Sequence, residues 1–182
     1  YVDGTRGWKQ TSDATENISG VPTFICASGG TETTSGDFKI HTFTADSTFV
    51  VNSAPTPANN NISYLVVGAG GGAADNIAGG SGAGGYREGK TPATPYTASP
   101  LNAPAGLPVA ASTTYPVTVG AGGAGGSYPA TTVGADSVFG PITSTGGGRG
   151  GAHPGNAGTP GGSGGGGGGD GTGPAGSGNS PP

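Results

Sequence analysis

The chain has no methionine, one cysteine (Cys26), one tryptophan (Trp8) and little charge: only 9% of its 182 residues are Asp, Glu, Lys or Arg. Soluble domains usually carry about 25%. Arg6, Lys9, Lys39, Arg87, Lys90 and Arg149 are scattered and the net charge is −4, so no basic patch exists and no nucleic-acid partner held through phosphates is expected. No apolar run is long enough for a spanning helix, which excludes insertion into a membrane by that route. A lone cysteine cannot close an intrachain disulfide. Within Val21-Pro22-Thr23-Phe24-Ile25-Cys26 it reads as a small buried hydrophobe, a crosslink between chains being the alternative. No signal peptide is visible at Tyr1, and a chain without Met that begins at Tyr is expected to be a fragment or a processed product.

Reactive groups are equally sparse. His41, His153 and Cys26 do not make a zinc set, and neither histidine has a Ser and a carboxylate at the spacing of a triad. Asp and Glu are dispersed, with no pair placed for acid and base work. Gly68-Ala69-Gly70-Gly71-Gly72-Ala73 follows a strand-like run as a dinucleotide-binding turn does, but no helix opens after it, and no strand is expected to deliver Glu88. Gly165 to Gly173 holds one imperfect copy of a calcium-binding nonapeptide, where stacked copies are needed. No catalytic, cofactor-binding or metal-binding residues are therefore assigned, no cofactor is expected, and the chain does not read as an enzyme. Asn17-Ile18-Ser19 and Asn61-Ile62-Ser63 fit the N-glycosylation pattern. Trp8 and Tyr86-Arg87 could offer a sugar-contacting surface. Alternatively, Trp8 packs on a neighbouring chain and Tyr86 closes a glycine loop.

What the chain has in abundance is glycine, 43 residues, distributed as six in 1–67, ten in 68–90, eight in 91–145 and nineteen in the remainder. The blocks up to Gly148 follow β-like runs: Tyr64-Leu65-Val66-Val67, Val117-Thr118-Val119, and Val138 to Thr145. From Ala152 to Pro182 there is no Val, Ile, Leu, Phe, Tyr or Trp, so hydrophobic burial cannot order that segment.

Gly and Pro leave few windows for a helix. The longest window without them, Asp37 to Ala54, is rich in β-branched and aromatic residues and reads as a hairpin of Phe38–Phe43 and Ser47–Val51 about Ala45-Asp46. Further strands are expected at Pro22–Cys26, Ile62–Val67, Tyr115–Val119 and Ser137–Thr143. The predicted fold is all-β, a short-stranded jelly-roll-like sandwich combined with glycine-rich helices of the polyproline II type. Six prolines across residues 91–116 make an extended connection, with Leu101, Leu107 and Val109 as anchors. The domain reading is a linking segment over 1–20, the glycine-rich sandwich over 21–151, and a Gly/Pro/Ser-rich tail over 152–182, either packed polyglycine helix or disordered.

Glycine segments without Cβ atoms can approach closely and bond N–H to C=O between neighbours. With three residues per turn, only outward positions accept a larger residue. Gly164 to Gly169 followed by Asp170 keeps no strict period of three, which favours such a bundle over a collagen triple helix.

The order Phe43 to Val51, then Tyr64-Leu65-Val66-Val67-Gly68-Ala69-Gly70-Gly71-Gly72, then Gly84-Gly85-Tyr86-Arg87-Glu88-Gly89, resembles the glycine-rich domain of tailed-phage fibre proteins. Tyr115 to Gly123 and Ser137 to Gly148 continue the resemblance, which covers about residues 40–175. Tyr1-Val2-Asp3-Gly4-Thr5-Arg6-Gly7-Trp8 is similar to linking segments of such fibres. The resemblance implies a non-enzymatic virion or extracellular fibre module that self-associates, as a homotrimer or a polymer. Its alternatives are a glycan-recognising adhesin and a bacterial surface fibre joined by strand addition. The sequence shows none of the aromatic-tipped loops between glycine helices that related tip adhesins carry.

Overall fold

The computed structural model describes residues 24–179 apart from Pro104 and Asp170. Its strands are β1 (Cys26–Ser28), β2 (Thr31–Ser35), β3 (Phe38–Thr42), β4 (Ser47–Ser53), β5 (Asn61–Ile62), β6 (Tyr64–Val67), β7 (Tyr86–Gly89), β8 (Leu107–Pro108), β9 (Thr113–Thr118), β10 (Ser137–Phe139) and β11 (Ile142–Ser144). The fold is all-β and sandwich-like; among the described residues the helical content is one 3-10 turn, Pro57–Asn59.

The main sheet runs β1-β4-β9-β10-β11, antiparallel throughout. Alternation along β4 turns Phe49 and Val51 to one face, where the register sets them opposite Tyr115 and Thr113 of β9, and Ala27 of β1 opposite Val51. Phe139 of β10 stands opposite Val117. Phe49 is the centre of this face: its ring lies 5.1 Å from His41, 6.5 Å from Phe43, 6.4 Å from Tyr115 and 5.7 Å from Phe139. Ile62 and Leu107 of the short β5–β8 pair close over the core, with Val109 buried beside them. Asn60 holds that lid by accepting the Val109 N–H at its carbonyl (2.9 Å) and donating Nδ2–H to the Val109 carbonyl (2.7 Å). The β6–β7 ribbon packs on β10 and β11.

Several expected pairings are corrected. Phe38–Thr42 does not pair with Ser47–Ser53; β3 pairs with β2, a polar strand (Thr31-Glu32-Thr33-Thr34-Ser35) that carries no hydrophobic alternation to announce it. The tight Gly36-Asp37 connection, with Gly36 at φ 57°, makes that hairpin, while the Asp46 carboxylate accepts the Val119 N–H (2.8 Å) and draws β4 to β9. The run Ser137–Thr143 is a hairpin rather than one strand, because Gly140 at φ 52° turns the chain. β1 begins at Cys26, and the expected strand before it lies partly outside the described residues.

The glycine blocks form a second layer of construction. Gly79, Gly82 and Gly85 donate N–H to the carbonyls of Gly151, Gly148 and Thr145; Ser163, Gly166 and Gly169 donate to Ala83, Gly80 and Ile77; Gly147 and Gly150 donate to Ala69 and Gly72. A step of three on both donor and acceptor sides means that each segment makes one turn per three residues and shows a given neighbour the same edge each turn. Residues 145–152 run through the middle. Their N–H groups from Gly146 to Gly151 bond in turn to Asp136 Oδ1, Ala69 O, Ser163 O, Thr159 Oγ1, Gly72 O and Gly166 O, at 2.7–3.1 Å. Residues 156–161 and 173–179 belong to the same bundle: Gly168 donates to Asn156, Gly158 to Pro174, and Gly176 to Gly165.

Direction follows from these bonds. Segments 68–74, 120–126 and 145–152 leave the sheets at the ends of β6, β9 and β11, and segments 77–85 and 131–136 return into β7 and β10. The connections around Asp75-Asn76, Ser127 to Ala130 and His153 to Gly155 therefore lie together at the end of the bundle remote from the sandwich.

Candidate functional site

The remote end gathers side chains that the sequence scatters. Ser127 donates its hydroxyl to Asp75 Oδ2 (2.7 Å), and the Arg149 guanidinium lies 5.2 Å from the centre of the Tyr128 ring. Asn76 and Ile77 have φ values of 57° and 53°, a conformation that a β-branched residue rarely adopts, and Ile77 is exposed. Tyr128 sits in the connection between segments 120–126 and 131–136, so the expectation that no such loop carries an aromatic residue is corrected. Only the packing order shows that Ser127-Tyr128 is a loop tip.

A second cluster lies on the sandwich. β7 alternates so that Tyr86 and Glu88 share a face with their cross-strand partners Val67 and Leu65. A strand does deliver Glu88, contrary to expectation. It was masked by flanking glycine, since Gly89 is required by the Tyr64 ring, which a methyl there would overlap. Glu88 is 7% exposed. Its Oε2 accepts the Ser99 N–H (3.0 Å) and its carbonyl accepts the Ala103 N–H (2.8 Å), which ties the proline-rich connection to β7. A second tie is made by Ser63 Oγ, which accepts the Thr91 N–H (2.9 Å) and bonds the Thr94 hydroxyl (2.6 Å). Leu107 and Val109 anchor this stretch as expected, whereas Leu101 is exposed. Between the ties stands Tyr96, with the Lys90 ammonium 5.5 Å from its ring centre.

Partial loss of water, hydrogen bonding to Glu88 and the Glu88 charge push the Tyr96 phenol up to about 12; loss of water, followed by the same carboxylate, raises Tyr86. The protonated phenol is thus favoured in the folded state, which holds more protons than the unfolded chain between about pH 10 and 12. Stability is expected to be intact below pH 10 and to fall as pH rises through that window. Urea midpoints across the window should fall less steeply in Tyr96→Phe than in the parent; equal slopes would contradict the assignment.

Other singled-out residues separate. Cys26 is exposed on the edge strand β1, because alternation gives the inward place to Ala27. His41 is half-buried: Nδ1 is 2.8 Å from the Gly29 carbonyl and the ring stands edge-on to Phe49. His153 is exposed at the remote end. Gly68, Gly71 and Gly72 press on the main chain at Thr145, Gly148 and Ala124, where a pyrophosphate would have to sit. Asn61 lies on β5, paired with Pro108. Trp8, Asn17 and Asp170 fall outside the described residues. Among the described residues no group of His, Cys, Asp and Glu could hold a metal ion.

No curated protein and no solved structure matches the chain. A family model described as a glycine-rich domain matches residues 44–181, a span that takes in β4 and every glycine segment of the bundle, and the chain belongs to that glycine-rich domain family.

Proposed function

We propose that the chain is a non-enzymatic structural module of an extracellular filament and, from the order of its motifs, of a tailed-phage fibre. The observation that carries this reading is the central segment 145–152, whose N–H groups from Gly146 to Gly151 are all bonded to surrounding segments or their side chains. Main-chain bonds of this kind net about 1 kcal/mol each, and their stabilising effect does not depend on large apolar side chains. That suits a rigid, weakly charged rod with its sandwich at one end and its loops at the other. Self-association as a homotrimer fits a fibre built from such modules.

Gold-labelled antibody against the chain should decorate the fibres of purified tailed-phage particles, and sedimentation should give three times the chain mass. Label confined to host cells, with none on virions, would defeat the phage reading. A monomer at all concentrations would defeat the trimer.

A further inference from the structure

We infer that Arg149, Thr131 and Tyr128 form a carboxylate-binding site at the end of the bundle remote from the sandwich. This goes beyond the structural reading and stands independently of it. Arg149 carries the only long side chain of the central segment 145–152. Its main chain is fixed on both sides, the N–H donating to Thr159 Oγ1 (2.8 Å) and the carbonyl accepting the Thr159 N–H (3.1 Å). The side chain is half-buried, and its guanidinium lies 5.2 Å from the centre of the Tyr128 ring. Nη1 is shut off from solvent and has no hydrogen-bond partner. Thr131, 4% exposed, holds a second buried hydroxyl without a partner. Its segment runs antiparallel to 145–152 and Gly134 donates to Gly147, so Thr131, one turn away, comes level with Gly150 and next to Arg149 in the bundle.

A charged donor that has lost water and gained no acceptor is costly, and the Tyr128 ring does not make good the loss, because a π face attracts the charge without offering a strong acceptor. The chain supplies no carboxylate in its place. Among the described residues the ionic contacts join Lys39 and His41 to Glu32, and Asp75, at the same end as Arg149, accepts the Ser127 hydroxyl. The chemistry that completes the site is a carboxylate from outside the chain. Its two coplanar oxygens match the planar guanidinium fork, and the Thr131 hydroxyl adds a neutral donor. One guanidinium balances a monoanion, whereas the net charge of −4 and the presence of Asp75 disfavour a dianionic phosphate. Tyr128, 43% exposed in the connection between segments 120–126 and 131–136, serves as the cover. Its ring moves off Nη1 as the carboxylate arrives and then offers its face to the group that bears the acid, such as the pyranose ring of a uronic acid.

The test uses the full chain, 15N-labelled, titrated by NMR with sodium glucuronate, sodium acetate and sodium phosphate, with sodium chloride at matched ionic strength as the control. Both carboxylates should shift the Arg149 Nε–H signal and the amide signals of Ala130 and Thr131 in a saturable way, and chloride should not. Arg149→Lys, which keeps the charge and loses the fork, should weaken the apparent affinity roughly tenfold, and Arg149→Gln should abolish saturation. Thr131→Val should weaken it roughly fivefold, the loss of one neutral hydrogen bond. Tyr128→Ala, which uncovers the guanidinium, should bind acetate at least as tightly as the parent. The amide spectrum of each variant reports its fold, and if Arg149→Gln does not fold, Arg149→Lys carries the result. Tighter binding of glucuronate than of acetate would support a sugar acid as the source of the carboxylate, and equal binding a free organic acid. No saturable shift with either carboxylate, shifts unchanged in Arg149→Gln and Arg149→Lys, or saturation by phosphate alone would each overturn the proposal.

Discussion

Replacing Gly147 by alanine is expected to unfold the bundle, whereas replacing Gly80 or Gly122 by alanine leaves it intact or stabilises it. A methyl at Gly147 would overlap the carbonyl of Gly82 and crowd Ala83, and neither can yield without parting the segment that also bonds Gly148 and Gly151. Overpacking commonly costs about 1–3 kcal/mol where side chains can shift. Here main chain meets main chain on a segment bonded along its length, so the loss should exceed about 3 kcal/mol. A methyl at Gly80 or Gly122 meets nothing within 4 Å, and neither position has the left-handed backbone that alanine resists. Those replacements should gain up to about 1 kcal/mol by restricting the unfolded chain. Urea denaturation of the three variants is the measurement. A Gly147→Ala variant as stable as Gly80→Ala would mean that the segments are not packed as described.

Phe49→Ala is expected to be the most damaging change in the sandwich, at about 3–5 kcal/mol. The ring is 5% exposed and four aromatic rings stand against it, so its removal leaves a void on several sides that the short strands around it cannot close. Against a typical total of about 5–15 kcal/mol this is a large share. The neighbouring Val50, half-buried on the other face of β4, should cost less when cut to alanine. Since β6, β7, β9, β10 and β11 run directly into glycine segments, Phe49→Ala should lower the amide protection of Gly146 to Gly151 together with that of β4. Persistent protection of the glycines after the sheet has melted would show two independent units.

Much of the sandwich was readable because its core residues alternate: Phe49 with Val51, Tyr115 with Val117. Strand partners were not. Nothing local distinguishes Ala45-Asp46 as a hairpin turn from Ala45-Asp46 as a passage between sheets; the bond from Val119 to Asp46, 73 positions away, decides it. β2 stayed hidden because an exposed polar hairpin needs no hydrophobic pattern. β7 stayed hidden because its glycines, which clear space for Tyr64 and for the bundle, also erase strand propensity. The tie between β7 and the proline-rich connection was not legible: residues 91–103 read as a free extended stretch until the Ser99 N–H is bonded to Glu88.

By itself the sequence determined that the fold is all-β and that its glycines could pack as threefold helices, because these follow from side chains present or missing at each position. Tertiary structure alone decided which glycines must remain glycine. The exposed Gly80 and the enclosed Gly147 are chemically identical, and only their neighbours, distant in the chain, make one replaceable and the other not. Tertiary structure also brought Asp75, Tyr128 and His153 to one end and fastened the proline-rich connection to the buried Glu88 of β7, since the spatial order of antiparallel segments is fixed by bonds between residues far apart in sequence.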